Sequence, residues 1–217
     1  MSLWNTLLDW SLDFLFPKNA RVVELEKLTP EKLITLLPPA EPLKDSHTLA
    51  LWSYSHPLVK EVVWELKYKG NTNIAEKLGI VLFDTIVDEL RELHLSEKDE
   101  VVIMPIPISD KRRLERGWNQ TELLLDAVKN QDKERMWKYL PRQLVKQHTE
   151  SQTQTSSRSE RLKNLSHSMR VLYPPKVEGK YVVVLDDVMT TGATFTEARR
   201  ALLEAGARKM LCVAVAH

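Results

Sequence analysis

The sequence predicts an α/β protein: a parallel sheet with helices on both faces, a small N-terminal helical appendage and one long polar loop. Three observations carry this. First, residues 101–104 (VVIM), 181–185 (YVVVL) and 210–216 (MLCVAVA) are short continuous apolar runs, the pattern of strands buried on both faces. Second, stretches with apolar residues at helical spacing lie between these runs. Third, the run at 181 passes directly into Asp186-Asp187 and Thr190-Thr191-Gly192-Ala193-Thr194 before a helical pattern over 195–205. That strand–loop–helix order places a ligand at the carboxyl end of a strand.

The elements follow in order. Residues 1–16 put Leu3, Leu7, Trp10 and Phe14 at helical spacing. This predicts an amphipathic helix docked on the protein or in a homodimer contact. Asp9, Asp13 and the lack of a basic start argue against a signal peptide or membrane insertion. Residues 17–50 carry five prolines and read as a connector, with a short helix over 31–37 that Thr29-Pro30 starts and Pro38-Pro39 ends. The division is therefore 1–48 as an appendage and 49–217 as the main domain. Residues 49–54 suit a short strand. Residues 56–69 suit a helix with Leu58, Val62 and Leu66 inward, stopped by Gly70. Ile74, Leu78, Val81, Leu82, Ile86 and Leu90 make one stripe of a helix over 73–95.

After 101–104 comes a proline-shaped loop, Pro105-Ile106-Pro107-Ile108-Ser109, with Lys111, Arg112, Arg113 and Arg116, then a helix to about 130. Residues 141–164 have no glycine and almost no apolar side chain after Val145; a connection that long is usually a lid or a disordered segment. Residues 169–173 suit a strand and 174–179 a turn. Thr194 is the expected N-cap of the last helix, with Glu197 completing a capping box.

Charge is uneven. Residues 1–100 hold 11 Lys and Arg against 17 Asp and Glu, net −6; residues 101–217 hold 20 against 13, net +7. The basic half contains the hydroxyl–glycine loop, as a polyanionic ligand or a nucleic acid would favour. The lone cysteine, Cys212, lies inside an apolar run, which fits a reducing, cytoplasmic setting without disulfides. The six histidines are scattered without ligand spacing, so no zinc site is expected. The chemistry concentrates at 186–194. Paired carboxylates suit the vicinal hydroxyls of a ribose, or a magnesium ion bridging them. Loop amides and a helix start suit a phosphate. A plain polar turn in a βαβ unit accounts for the same residues.

The stretch YVVVLDDVMTTGAT resembles the phosphoribosyl-diphosphate (PRPP) signature of type I phosphoribosyltransferases, and its form resembles the ComF/GntX group. So do Leu66-Lys67-Tyr68-Lys69-Gly70, the span from Pro105-Ile106-Pro107 to Arg116-Gly117-Trp118-Asn119-Gln120, and Thr149, Gln152 or Gln154, Arg161 and Asn164. The resemblance covers about residues 49–217 and implies the type I phosphoribosyltransferase-like sheet with a flexible hood loop. It implies transfer of a 5-phosphoribosyl group from PRPP to an acceptor that no element specifies, with release of pyrophosphate. Asp186 and Asp187 would hold the ribose and Mg2+, and Thr190, Thr191, Gly192, Ala193 and Thr194 the 5′-phosphate. Ser109, Arg112, Arg113 and Arg116, with Lys67, would hold pyrophosphate, and Arg161 would close over the site from the 145–163 loop. A DNA-uptake helicase is a partner the group suggests. Many members carry an N-terminal cysteine zinc ribbon; here no cysteine precedes Cys212. Two rival readings stand beside the enzyme: a PRPP-binding adaptor of DNA uptake without turnover, and a nucleic-acid-binding module using the basic half.

Overall fold

Alternation along the three apolar runs decides the architecture. Val101, Ile103, Tyr181, Val183, Leu185, Leu211, Val213 and Val215 enter one core; Val102, Met104, Val182, Val184, Met210, Cys212 and Ala214 enter another. Successive side chains of a strand point to opposite faces, so a run apolar at every position must be covered on both.

A computed structural model describes residues 20–43, 45–95, 99–146 and 168–217. Its elements are α1 (Ala20–Lys27), α2 (Pro30–Leu36), β1 (Thr48–Trp52), α3 (Pro57–Trp64) with a π-helical turn Glu65–Lys69, and α4 (Thr72–Glu92). Then come β2 (Val101–Pro105), α5 (Asp110–Arg116), α6 (Gln120–Gln131), β3 (Lys138–Tyr139) and β4 (Leu144–Lys146). The chain closes with β5 (Met169–Val171), β6 (Tyr181–Val188), α7 (Ala193–Glu204) and β7 (Lys209–Ala216). The main sheet runs β1-β7-β6-β2-β3, and all its pairings are parallel. β4 and β5 pair antiparallel outside it. The α/β parallel sheet with helices on both faces is therefore observed: α2, α3, α4 and α6 cover one face, α7 and the β4–β5 pair the other.

Four local expectations change. The run 105–116, read as a loop, contains α5, because Ser109 Oγ accepts from Arg112 N and caps it. The expected helix over 56–69 loosens into a π turn at Glu65 before Gly70, at φ +58°, ends it. The capping box at Thr194 does not form. Gly192, at φ +73°, turns the chain into α7 two residues earlier, and the buried Glu197 instead accepts from Met169 N (3.0 Å) and Arg200 Nη2 (2.7 Å). β3 went unread because its two residues carry no period. The expected helix over 1–16 lies outside the described residues.

The described part of the appendage shares the main core: Leu25, Leu33 and Leu37 pack in the cluster that holds Trp52 and Leu78. Ala40 N donates to Leu51 O and Ser53 N to Pro38 O, which covers the outer edge of β1. Opposite, α4 and α6 cross at Gly79, where an added Cβ would stand 2.5 Å from Ala127 Cβ and 2.7 Å from its carbonyl carbon. Gly79→Val should therefore cost at least about 1–3 kcal/mol in urea unfolding, since the helices must part. An unchanged midpoint would contradict this crossing.

Candidate functional site

Because the sheet is parallel, the carboxyl ends of β2, β6 and β7 meet at one edge. β6 ends in Asp186 and Asp187, only 8% and 4% exposed. Alternation sends them to opposite faces. Asp187 turns toward the π turn, where Lys67 Nζ lies 3.2 Å from its Oδ2 without hydrogen-bond alignment. Its Oδ1 accepts from Val188 N (2.8 Å). Asp186 turns toward β4, and its Oδ1 accepts from Asp187 N (2.8 Å). Burial, then the neighbouring Asp187 charge, pushes the Asp186 carboxyl well above the usual carboxylate range. A packing role explains neither acid; a buried carboxylate pair is kept against its desolvation cost.

The π turn aims Lys67. Its widened ladder releases Leu66 O to Trp118 Nε1 (3.0 Å), and the Trp118 ring fills the space beside Gly70, 3.0–3.3 Å from where a Cβ would be. Trp118 thus ties the Lys67 turn to the loop after α5. Asn119 then caps α6 through Thr121 N (3.1 Å).

The loop after β6 carries the exposed Thr190 and Thr191, then the half-buried Gly192, Ala193 and Thr194. Ala193 N donates to Thr191 Oγ1 at 3.4 Å. The first turn of a helix leaves backbone amides for an outside acceptor, and the macrodipole favours an anion there. The outer side of this loop walls a groove of about 500 Å³, with Leu43, Phe195, Arg199 and His217.

The basic residues of 109–116 are less uniform. Ser109 is spent on its cap. Arg113 Nη2 holds both oxygens of Glu122 at 2.7 Å. Arg116 donates to Gln120 Oε1 (3.1 Å) and lies 4.9 Å over the Tyr68 ring. Arg112 is exposed. The structure thus gathers Lys67, Asp186, Asp187 and the 190–194 loop at one edge, while Arg113 and Arg116 are held by neighbours. Arg161 lies outside the described residues.

Residues 139–217 match the family described as phosphoribosyl transferase domain. The chain is 30% identical over 162 residues to the DNA utilization protein YhgH of Escherichia coli strain K12, covering 71% of this chain and 64% of that one. It is 30% identical over 149 residues to the competence protein ComFC of Bacillus subtilis strain 168, covering 69% and 55%. The chain is thus similar to ComF-like proteins and, over residues 139–217, to phosphoribosyl transferase domains. It spans less than two thirds of the length of either relative. Similar solved structures include a Leishmania donovani hypoxanthine-guanine phosphoribosyl transferase, 11% identical with a TM-score of 0.38 over 66% of this chain and 67% of that one. Another is the allosteric regulatory enzyme of purine biosynthesis, 20% identical with a TM-score of 0.40 over 70% and 30%.

One charged residue at the site escaped the sequence reading. Lys146, at the end of β4, feels both Asp186 and Arg112; burial first, then Arg112, lowers its pKa. The signal was present in Leu144-Val145-Lys146, two apolar residues and a base opening the polar stretch. The β4–β5 pair is fastened to α7 by Arg200, which donates to Met169 O (2.8 Å) and to Glu197. Cys212 is the buried strand thiol expected, pushed up to about 11 by burial.

Proposed function

We propose that this chain binds PRPP with magnesium and transfers its 5-phosphoribosyl group to a nucleophile, releasing pyrophosphate, in the service of DNA uptake or use. The observation that carries it is the buried pair Asp186 and Asp187 at the end of a central strand, followed by left-handed Gly192 at the start of α7. The ribose hydroxyls donate to the two carboxylates. These also stabilise the positive charge that develops at C1 as its bond to pyrophosphate oxygen breaks and its bond to the acceptor forms. The acceptor's proton leaves to solvent. The 5′-phosphate sits on the amides of 192–194 and the hydroxyls of Thr190, Thr191 and Thr194. Lys67 exchanges Asp187 for a pyrophosphate oxygen, with Arg112 beside it, and Arg161 closes from the hood.

The residues fit magnesium that arrives on its ligand. Among the described residues no group of three or more His, Cys, Asp or Glu could hold a metal alone, whereas Asp187 Oδ2 is buried without a hydrogen bond. Magnesium is usually held by one or two carboxylates plus ligand phosphate oxygens. When bound it would neutralise charge on the leaving pyrophosphate.

The names of the relatives support the DNA-uptake setting. The adaptor reading draws on one observation, that Arg113 and Arg116 are already engaged. A pyrophosphate-release screen with PRPP, magnesium and candidate nucleobases and amines separates the two. Turnover with one acceptor class supports the transferase; PRPP binding without release with any of them supports the adaptor. Among the described residues no helix is long and apolar enough to cross a membrane.

A further inference from the structure

We propose that the acceptor this chain ribosylates carries a carboxylate, and that Lys146 receives it on the Asp186 side of the site. The inference rests on the transferase reading above and names the class of its second substrate.

The argument starts from β4. Alternation puts Lys146 on the same face of the strand as Leu144, which is 2% exposed in the core that α7 covers. Its partner across the strand pair is Met169, 1% exposed. Met169 is clamped to α7 at both its backbone groups: its N donates to Glu197 Oε1 at 3.0 Å, and its O accepts from Arg200 Nη2 at 2.8 Å. The backbone that carries Lys146 is therefore fixed against α7, with the side chain half-buried.

Burying even part of an ammonium costs solvation that a partner normally offsets. No carboxylate among the described residues forms an ion pair with Lys146. After burial, the charges that act on it are Arg112, which repels it, and then Asp186, which attracts it; burial and Arg112 prevail and lower its pKa. Asp186 is itself pushed toward its protonated form, and its Oδ1 is engaged by Asp187 N. The counter-charge for Lys146 has to come with a ligand.

The two faces of β6 say which ligand. Asp187 and Lys67 lie on the face of the π turn, Asp186 and Lys146 on the face of α7 and β4. Lys67 is assigned to pyrophosphate. Displacement at C1 is in line: the acceptor nitrogen gives its electron pair from the side opposite the pyrophosphate oxygen, which leaves with the pair of the broken bond. The acceptor's N–H proton passes to solvent. A cation across β6 from Lys67 therefore faces the incoming group. One lysine suits one negative charge, since a further multivalent anion would be repelled by the 5′-phosphate and pyrophosphate already bound. A carboxylate on the acceptor meets these terms, relieves the repulsion from Arg112 and holds the nitrogen at C1.

Pyrophosphate release by the full chain with PRPP and magnesium, read for matched acceptors, tests the proposal: orotate against uracil, nicotinate against nicotinamide, anthranilate against aniline. Calorimetric titration of the same compounds into the chain saturated with magnesium pyrophosphate reads their binding directly. At least one carboxylate should react and bind about tenfold or more better than its uncharged counterpart. Lys146→Met should raise the KM for that acceptor about tenfold and remove the preference, whereas Lys146→Arg should keep it. The heat of PRPP titration should match wild type in both variants, and Lys146→Met should not lower the melting temperature, because an unpaired cation has been removed. Uncharged acceptors used as well as carboxylates, a preference that survives Lys146→Met, or no binding and no release with any carboxylate would each overturn the proposal while PRPP heat leaves the transferase reading standing. Loss of PRPP or pyrophosphate affinity in Lys146→Met would also overturn it, giving Lys146 to the leaving group. Absence of PRPP heat from wild type would remove both readings together.

Discussion

Gly192→Val is expected to abolish PRPP binding while the protein stays cooperatively folded. The residue sits at φ +73°, and an added Cβ would find only Met189 Sδ, at an ordinary 3.8 Å. Space is therefore not the constraint on the fold. The cost is the left-handed backbone, about 1–2 kcal/mol for a side chain there, more for a β-branched one. In a chain of this size that lowers the melting temperature by about 2–8 °C. The effect on the ligand is far larger, because the valine methyls stand where the phosphate must approach the amides of α7. Calorimetric titration beside a thermal melt reads both. Retained PRPP affinity would remove the loop from the phosphate site; a variant that does not fold would make Gly192 a structural turn and nothing more.

Lys67→Met is expected to destabilise the protein and Lys67→Met/Asp187→Asn to restore most of the loss. Asp187 is 4% exposed and Lys67 is the cation against it, 3.2 Å away. Removing one partner of a buried pair leaves an uncompensated charge at about 3–5 kcal/mol. The Lys67 side chain is 21% exposed, so water relieves part of this and about 1–3 kcal/mol is expected. With Asp187→Asn the charge is gone, and stability in urea should recover by more than half. PRPP binding should not recover, because both groups are assigned to ligand. Additive effects of the two substitutions would show that the pair does not interact.

Those two residues also mark how far the sequence could be read. Asp187 was legible: a carboxylate ending a doubly buried strand has no packing reason to be there. That it faces α3 while Asp186 faces β4 follows from strand alternation once the runs are aligned. Lys67 was legible as a basic residue near a helix end, but its aim was not. The π turn that swings it onto Asp187 depends on Trp118, 51 positions later, taking the carbonyl of Leu66. Local propensity carries no trace of that bond. The same holds for Gly79, which reads as a weak point of a helix until Ala127 is packed against it. Ser109 did carry its signal, a hydroxyl residue opening α5, yet Pro105 and Pro107 made the whole span look like loop. Thr194 and Glu197 spelled a capping box, but Met169 N and Arg200 offered Glu197 better partners. Lys146 was hidden by its setting in a polar stretch, since only the fold brings β4 beside Asp186.

The most direct test of the account is calorimetric titration of the full chain with PRPP in millimolar magnesium, repeated with Asp186→Asn/Asp187→Asn. The account predicts saturable heat for wild type that is lost without magnesium and lost in the double variant, whose melting temperature stays at or above that of wild type because a buried carboxylate pair has been neutralised. Absence of heat from wild type at millimolar PRPP, or equal heat from the double variant, would contradict it.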